Sequence, residues 1–101
     1  MKTTITKEGN LTNVLLEGRL DTTTAEIFQK EIQQLFEGEN PNIVLDCKDL
    51  EYISSSGLRV ILSLQKSVMS RKGGLVLRAL KPTILSIFVM TGLSNVLTIE
   101  K

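Results

Sequence analysis

Apolar runs and polar breaks alternate along the chain from its first residues. Two β-like runs, 2–7 and 11–17, flank Glu8, Gly9 and Asn10, where glycine and asparagine permit a tight reversal. This pattern predicts a β-hairpin at the start of the fold.

The next block repeats apolar side chains at helical spacing and predicts an amphipathic helix. Asp21, followed by Thr22, Thr23 and Thr24, supplies the chemistry of a helix N-cap. Gly38 lies just beyond the last apolar residue, where glycine commonly ends a helix. The repeating apolar residues are Ala25, Phe28, Ile32, Leu35 and Phe36.

A strand and a second helix follow. Residues 42–46 have an unbroken apolar centre at 43–45, which is typical of an interior, parallel strand that is covered on both faces. Residues 48–51 are polar and predict a short solvated turn. The second helix is expected to begin in the serine run and to carry a broad apolar stripe. Its members are Leu58, Ile61, Leu62, Gln65, Val68 and Met69.

The last third of the chain repeats this alternation. A glycine pair ends the second helix, and residues 75–77 form a short buried strand. Pro82 suits the first position of a third helix, which Gly92 ends. Residues 96–100 close the fold as a strand. Phe88 and Met90 of the third helix are both expected in the core.

The element order is therefore β-β-α-β-α-β-α-β, which predicts the α/β class. Alternating strands and helices favour parallel pairing through right-handed crossovers, and the initial hairpin adds an antiparallel edge. We expect one mixed, roughly five-stranded sheet with helices packed against it. The chain has 101 residues, so residues 1–101 are interpreted as a single domain.

Charge and composition narrow the possible partners. Twelve Lys and Arg residues nearly balance eleven Asp and Glu residues, and the densest basic cluster is the pair Arg71 and Lys72. No direct nucleic-acid contact is therefore expected. Arg59, Gln65 and Lys66 break the apolar stretches, which argues against membrane insertion. A lone cysteine and the lack of a signal-peptide pattern favour the cytoplasm.

Catalysis and cofactors are not expected. The chain has no histidine and one cysteine, which excludes a Ser-His-Asp triad and a Cys/His zinc site. Ser63 and Lys66 match a Ser-x-x-Lys pattern without its companion motifs, so a minimal serine enzyme stays a remote alternative. Asp46, Asp49 and Glu51 lack the glycine-bearing loop of a calcium site.

The serine run, Ser54 to Ser56 followed by Gly57, is the strongest candidate site. A serine at a helix start accepts a backbone hydrogen bond, so either Ser54 or Ser55 could simply cap the helix. A phosphate there would add a charge of about −1.5 to −2 at the positive end of a helix, where anions are tolerated. Gly57 would allow close approach by another protein, or else form a tight turn.

Three separated motifs resemble those of STAS domains. Residues 45–62 are similar to the family's buried strand, acidic-Leu turn, apolar pair and Asp-Ser-Ser/Thr-Gly-Leu helix start. Residues 18–21 and 90–93 resemble its Gly-x-Leu-Asp and Met-x-Gly-Leu motifs. The family's Asp is Ser54 in this sequence.

The resemblance implies an anti-sigma factor antagonist that switches partners. The unmodified domain would bind a serine kinase that doubles as an anti-sigma factor, phosphorylation of Ser55 would release it, and a serine phosphatase of the metal-dependent type would reset it. Partner-binding residues would be Asp21, Thr22, Thr23, Ser54, Ser55, Ser56, Gly57 and Arg59. The alternative is a STAS scaffold subunit, never phosphorylated, of a larger assembly such as a lipid or anion transporter.

Overall fold

The predicted order of elements is confirmed in the computed structural model, which describes residues 1–33 and 41–100. The expected helix residues Leu35 and Phe36 and the expected stop Gly38 lie outside the described residues. The strands are β1 (Lys2–Glu8), β2 (Leu11–Leu20), β3 (Asn42–Ile53), β4 (Gly74–Arg78) and β5 (Thr98–Glu100). The helices are α1 (Thr22–Gln33), α2 (Ser55–Ser70) and α3 (Pro82–Met90), with a 3₁₀ turn at Leu93–Asn95.

The sheet is mixed, with the strands in sequence order from β1 to β5. β1 pairs antiparallel with β2, and each later pairing is parallel. In the hairpin Glu8 pairs with Leu11, which leaves a two-residue loop, and its Gly9 has a φ of +60°. Glycine adopts this left-handed conformation without the Cβ clash of other residues, as the sequence predicts for this reversal.

The core lies between the helices and one face of the sheet. Ile43, Leu45 and Cys47 of β3 belong to the buried cluster that also contains Ile61 of α2. Val44 points to the opposite face and lies outside that cluster. β3 is interior and parallel as predicted, but only one of its faces joins the core within the described part of the chain. Burial raises the pKa of the Cys47 thiol to about 12.

The predicted turn at 48–51 is wrong, because β3 continues through these residues to Ile53. β2 is also longer than predicted and ends at Leu20, so the two strands pair along their second halves with two register shifts. Leu50 and Ile53 are buried there. Lys48, Asp49 and Glu51 suggested a turn, but the pairing with β2 satisfies the hydrogen bonds of the backbone and holds the segment extended.

Two methionines that were expected in apolar positions are exposed. Met69 is 61% exposed and Met90 is 83% exposed, whereas Val68 and Phe88 are fully buried. An α-helix turns about 100° per residue, so Met69 is rotated off the stripe that holds Val68. Met90 lies about 200° from Phe88 and therefore on the opposite side of α3. Val60 and Leu64 are buried members of the α2 stripe that the pattern missed.

The final strand is shorter than the predicted 96–100. The 3₁₀ turn Leu93–Asn95 precedes it, and Val96 closes this turn by donating its N–H to the carbonyl of Leu93 at 3.0 Å. Gly92 ends α3 as predicted and has a φ of +79°. Within the described residues, no helix is both long enough and apolar enough to cross a membrane.

Candidate functional site

The carboxyl ends of β2 and β3 bring the starts of α1 and α2 together. Leu20 pairs with Ile53 at the end of the two strands, and the N–H of Ser54 donates to the carbonyl of Leu20 at 2.9 Å. α1 and α2 therefore begin side by side. The hydroxyls of Thr22 and Ser56 lie 3.4 Å apart, although these residues are 34 positions apart in the sequence.

Asp21 caps α1 as the sequence predicts. Its Oδ1 accepts the backbone N–H groups of Thr23 and Thr24, both at 3.0 Å. The backbone N–H of Thr24 is the main cause of a lowered pKa of Asp21, because a hydrogen bond to the carboxylate favours its charged form. The predicted contact of Asp21 with a partner stays a prediction.

Thr24 takes part in the cap of α1 through its side chain. Its hydroxyl accepts the N–H of Asp21 at 2.9 Å and donates to the carbonyl of Arg19 at 2.8 Å. The reciprocal bonds between Asp21 and Thr24 are those of a capping box, with threonine in the third helical position. Thr22 and Thr23 are exposed beside it.

The structure distinguishes the two candidate capping serines. Ser54 has an extended backbone, and its Oγ accepts the N–H of Gly57 at 3.3 Å, so Ser54 is the N-cap of α2. Ser55 is the first residue of the helix and is exposed. Its hydroxyl makes no hydrogen bond within the described residues.

Gly57 packs so closely against other residues of the chain that no side chain fits at this position. A Cβ at this position would lie 2.8 Å from Cγ of Leu20 and 2.9 Å from both Cγ1 of Ile53 and the carbonyl oxygen of Leu20. Gly57 is buried, and its missing side chain lets α2 start directly against the ends of β2 and β3. This packing accounts for the glycine by the tight turn, and the predicted partner contact of Gly57 stays a prediction.

We predict that Ser54→Ala lowers the free energy of unfolding by about 1 kcal/mol, because the N–H of Gly57 loses its acceptor. Urea denaturation followed by circular dichroism measures this change. Ser55→Ala is the matched control, since this side chain supports no hydrogen bond in the described chain. Equal midpoints for the two variants would contradict the assignment of Ser54 as the cap.

A groove of about 400 Å³ runs between α1 and α2 from the paired hydroxyls. Predicted site residues Thr22 and Arg59 contribute to it, and Arg59 is exposed as expected. The lining residues that the sequence did not predict as site residues are Ala25, Glu26, Gln29 and Val60. The spacing Thr22, Glu26, Gln29 places these side chains along one face of α1, and this signal could have found them. The lining residues are Thr22, Ala25, Glu26, Gln29, Ser56, Arg59 and Val60.

Residues with possible catalytic or metal-binding chemistry lie apart from this groove. Asp46, Asp49 and Glu51 are strand residues of β3, and no group of three metal-ligating side chains occurs among the described residues. Ser63 and Lys66 are exposed in the middle of α2. The groove joins hydroxyls, one carboxylate, one amide, one guanidinium and apolar groups.

Comparison with known proteins identifies the family. The STAS domain family matches residues 2–101, and the chain belongs to this family. BtrV of Bordetella bronchiseptica, provisionally named an anti-sigma factor antagonist, is 33% identical over 96 residues, or 95% of this chain and 83% of BtrV.

Solved structures have the same fold. TM1081 of Thermotoga maritima, also provisionally named an anti-sigma factor antagonist, matches with a TM-score of 0.90 at 24% identity over 98% of this chain and 86% of its own. The unphosphorylated anti-sigma factor antagonist SpoIIAA matches with a TM-score of 0.78 at 19% identity, over 99% of this chain and 88% of SpoIIAA. Phosphorylated SpoIIAA, a Bacillus protein, matches with a TM-score of 0.77 at 20% identity, over 99% of this chain and 92% of its own. SpoIIAA thus keeps this fold in both states.

Proposed function

We propose that this chain is an anti-sigma factor antagonist whose binding is switched by phosphorylation of Ser55. In the unmodified state it binds a kinase-type anti-sigma factor and so regulates transcription that depends on the sigma factor. The kinase transfers a phosphate to Ser55 and the complex dissociates. A serine phosphatase of the metal-dependent type restores the unmodified state, and we expect all of these steps in the cytoplasm.

The observation that carries the proposal is the state of Ser55. By the motif resemblance, Ser55 corresponds to the family's phosphorylated serine. It is exposed at the first turn of α2, and its hydroxyl is not used for capping because Ser54 caps the helix. The similarity to BtrV over 95% of the chain supports the antagonist role.

The groove between α1 and α2, with the exposed helix starts beside it, is the proposed docking surface. Thr22 and Ser56 place hydroxyls at the end of the groove nearest the two helix starts, while Glu26 and Arg59 place opposite charges along it. Opposite charges on the two sides can pair with a complementary partner and disfavour other partners. A phosphate on Ser55 would change this charge pattern at the edge of the contact.

We predict that the anti-sigma factor kinase of the same cell adds one phosphate to the wild-type chain, and that Ser55→Ala abolishes this mass gain. Ser55→Asp is expected to bind the kinase at least tenfold more weakly, which corresponds to about 1.4 kcal/mol of binding free energy. Intact-mass spectrometry with ATP measures the first effect, and calorimetric titration without ATP measures the second.

Ser63→Ala is the matched control, because Ser63 is an exposed serine of the same helix that lies apart from the groove and should leave phosphorylation at Ser55 intact. Ser56→Ala tests the neighbouring serine as acceptor. A phosphate that persists in Ser55→Ala and disappears in Ser56→Ala would identify Ser56 as the phosphate acceptor. If none of the proteins gains mass and all bind alike, the scaffold alternative replaces the switch. Ser54 in place of the family's Asp is the feature that favours that alternative.

A further inference from the structure

Ser55 and Arg59 form a pair on one face of α2. They are four residues apart in the helix Ser55–Ser70. Such residues are neighbours, with Cβ atoms roughly 5–6 Å apart. Helical side chains lean toward the N-terminus of the helix, so the long side chain of Arg59 extends toward the turn that begins with Ser55.

Arg59 is available for a new partner. It is exposed, and within the described residues it takes part in no ion pair. Glu26 of α1 lines the same groove. Arg19 and Asp21, at the end of β2, are the other charged groups beside the two helix starts, and each already has a contact. The guanidinium of Arg19 lies 4.2 Å from the centre of the Tyr52 ring, and Asp21 caps α1.

We propose that Arg59 receives the phosphate of phosphorylated Ser55 within the same chain. This inference rests on the proposed function, because it takes Ser55 as the modified residue. A guanidinium presents a planar set of N–H donors that matches phosphate oxygens in a bidentate way. The first turn of α2 adds a favourable field for the anion.

This pairing makes Arg59 the link between the modification and the docking groove. Before phosphorylation, the charges of Glu26 and Arg59 cancel along the groove. The phosphate contributes about −1.5 to −2 at neutral pH, so it neutralises Arg59 and leaves the groove net negative. An acidic group of the partner that contacts Arg59 then loses its cation and meets added negative charge. The switch acts by withdrawing a contact as well as by adding bulk.

The test installs phosphoserine at position 55 during translation, so it needs no kinase. The second pKa of the phosphate, about 6 in an unpaired phosphoserine, is measured by ³¹P NMR titration at 0.15 M salt. We compare the otherwise wild-type phosphoprotein with its Arg59→Gln and Lys66→Gln variants. Lys66 is the control, since this exposed cation of α2 lies eleven residues from Ser55, roughly 16 Å along the helix and beyond the screening length of about 8 Å.

Arg59 stabilises the dianion, so Arg59→Gln is expected to raise the phosphate pKa by about 0.2–0.4, whereas Lys66→Gln leaves it unchanged. Arg59→Lys should retain part of the shift, because the charge remains without the bidentate geometry. Equal phosphate pKa values in the Arg59→Gln and Lys66→Gln proteins would overturn the inference. That result would leave kinase-dependent phosphorylation of Ser55 untouched, so the two proposals fail separately.

Discussion

Phe28→Ala is expected to lower the free energy of unfolding by about 3–5 kcal/mol, the largest effect that we predict for this chain. Phe28 is fully buried on the face of α1 that packs into the core. Truncation removes the apolar area of a whole ring and leaves a cavity that neighbouring strands cannot fill. Because small domains are stable by only about 5–15 kcal/mol, this loss is a large part of the total.

Ile27→Ala is the matched control for this measurement. Ile27 precedes Phe28 on the same helix but is 56% exposed, so its truncation should cost less than about 1 kcal/mol. Urea denaturation monitored by circular dichroism gives both values. If Ile27→Ala proves as destabilising as Phe28→Ala, the orientation of α1 described above is wrong.

Gly57→Ala is expected to cost about 2 kcal/mol of unfolding free energy and to displace the start of α2. The added Cβ would meet the side chains of Leu20 and Ile53 at 2.8 and 2.9 Å. It would also lie 2.9 Å from the backbone oxygen of Leu20, which already accepts the N–H of Ser54. Overpacking costs about 1–3 kcal/mol or more, while alanine regains at most about 1 kcal/mol of helix propensity.

Gly74→Ala is the matched glycine control. Its ideal Cβ lies 3.6 Å from Oδ1 of Asn42, which is ordinary contact. We therefore expect it to unfold close to the wild-type midpoint. The Gly57→Ala protein should also be phosphorylated more slowly at Ser55, because the shifted helix start moves the acceptor. Equal midpoints for Gly57→Ala and Gly74→Ala would contradict the close packing of α2 against the strand ends.

Local chemistry was sufficient to predict one cap but left the other open. Asp21 followed by threonines predicted the start of α1. The hydrogen bonds of this cap join residues within three positions of each other, so the local sequence contains the whole motif. The serine run offered two equivalent cap residues. The bond from the N–H of Ser54 to the carbonyl of Leu20 fixes Ser54 outside the helix, and that partner is remote in the sequence.

The sequence by itself determined the order of elements, the hairpin and the family motifs around Ser55. These depend on hydrophobic periodicity, on glycine and proline, and on neighbours a few residues away. The predicted end of β3 was wrong, because the length of this strand depends on its pairing with β2. The sequence also placed Met90 in the core, although one helix face cannot hold both Met90 and Phe88.

Only the tertiary structure decided the shape of the site. The parallel register that pairs Arg19 with Tyr52 and Leu20 with Ile53 sets two helix starts at one sheet edge. That register creates the contact of Thr22 with Ser56 across 34 positions and opens the groove beside them. The serine run therefore supplies Ser55, the proposed phosphate acceptor. Its surroundings come from strand pairing, which depends on residues that no local pattern connects.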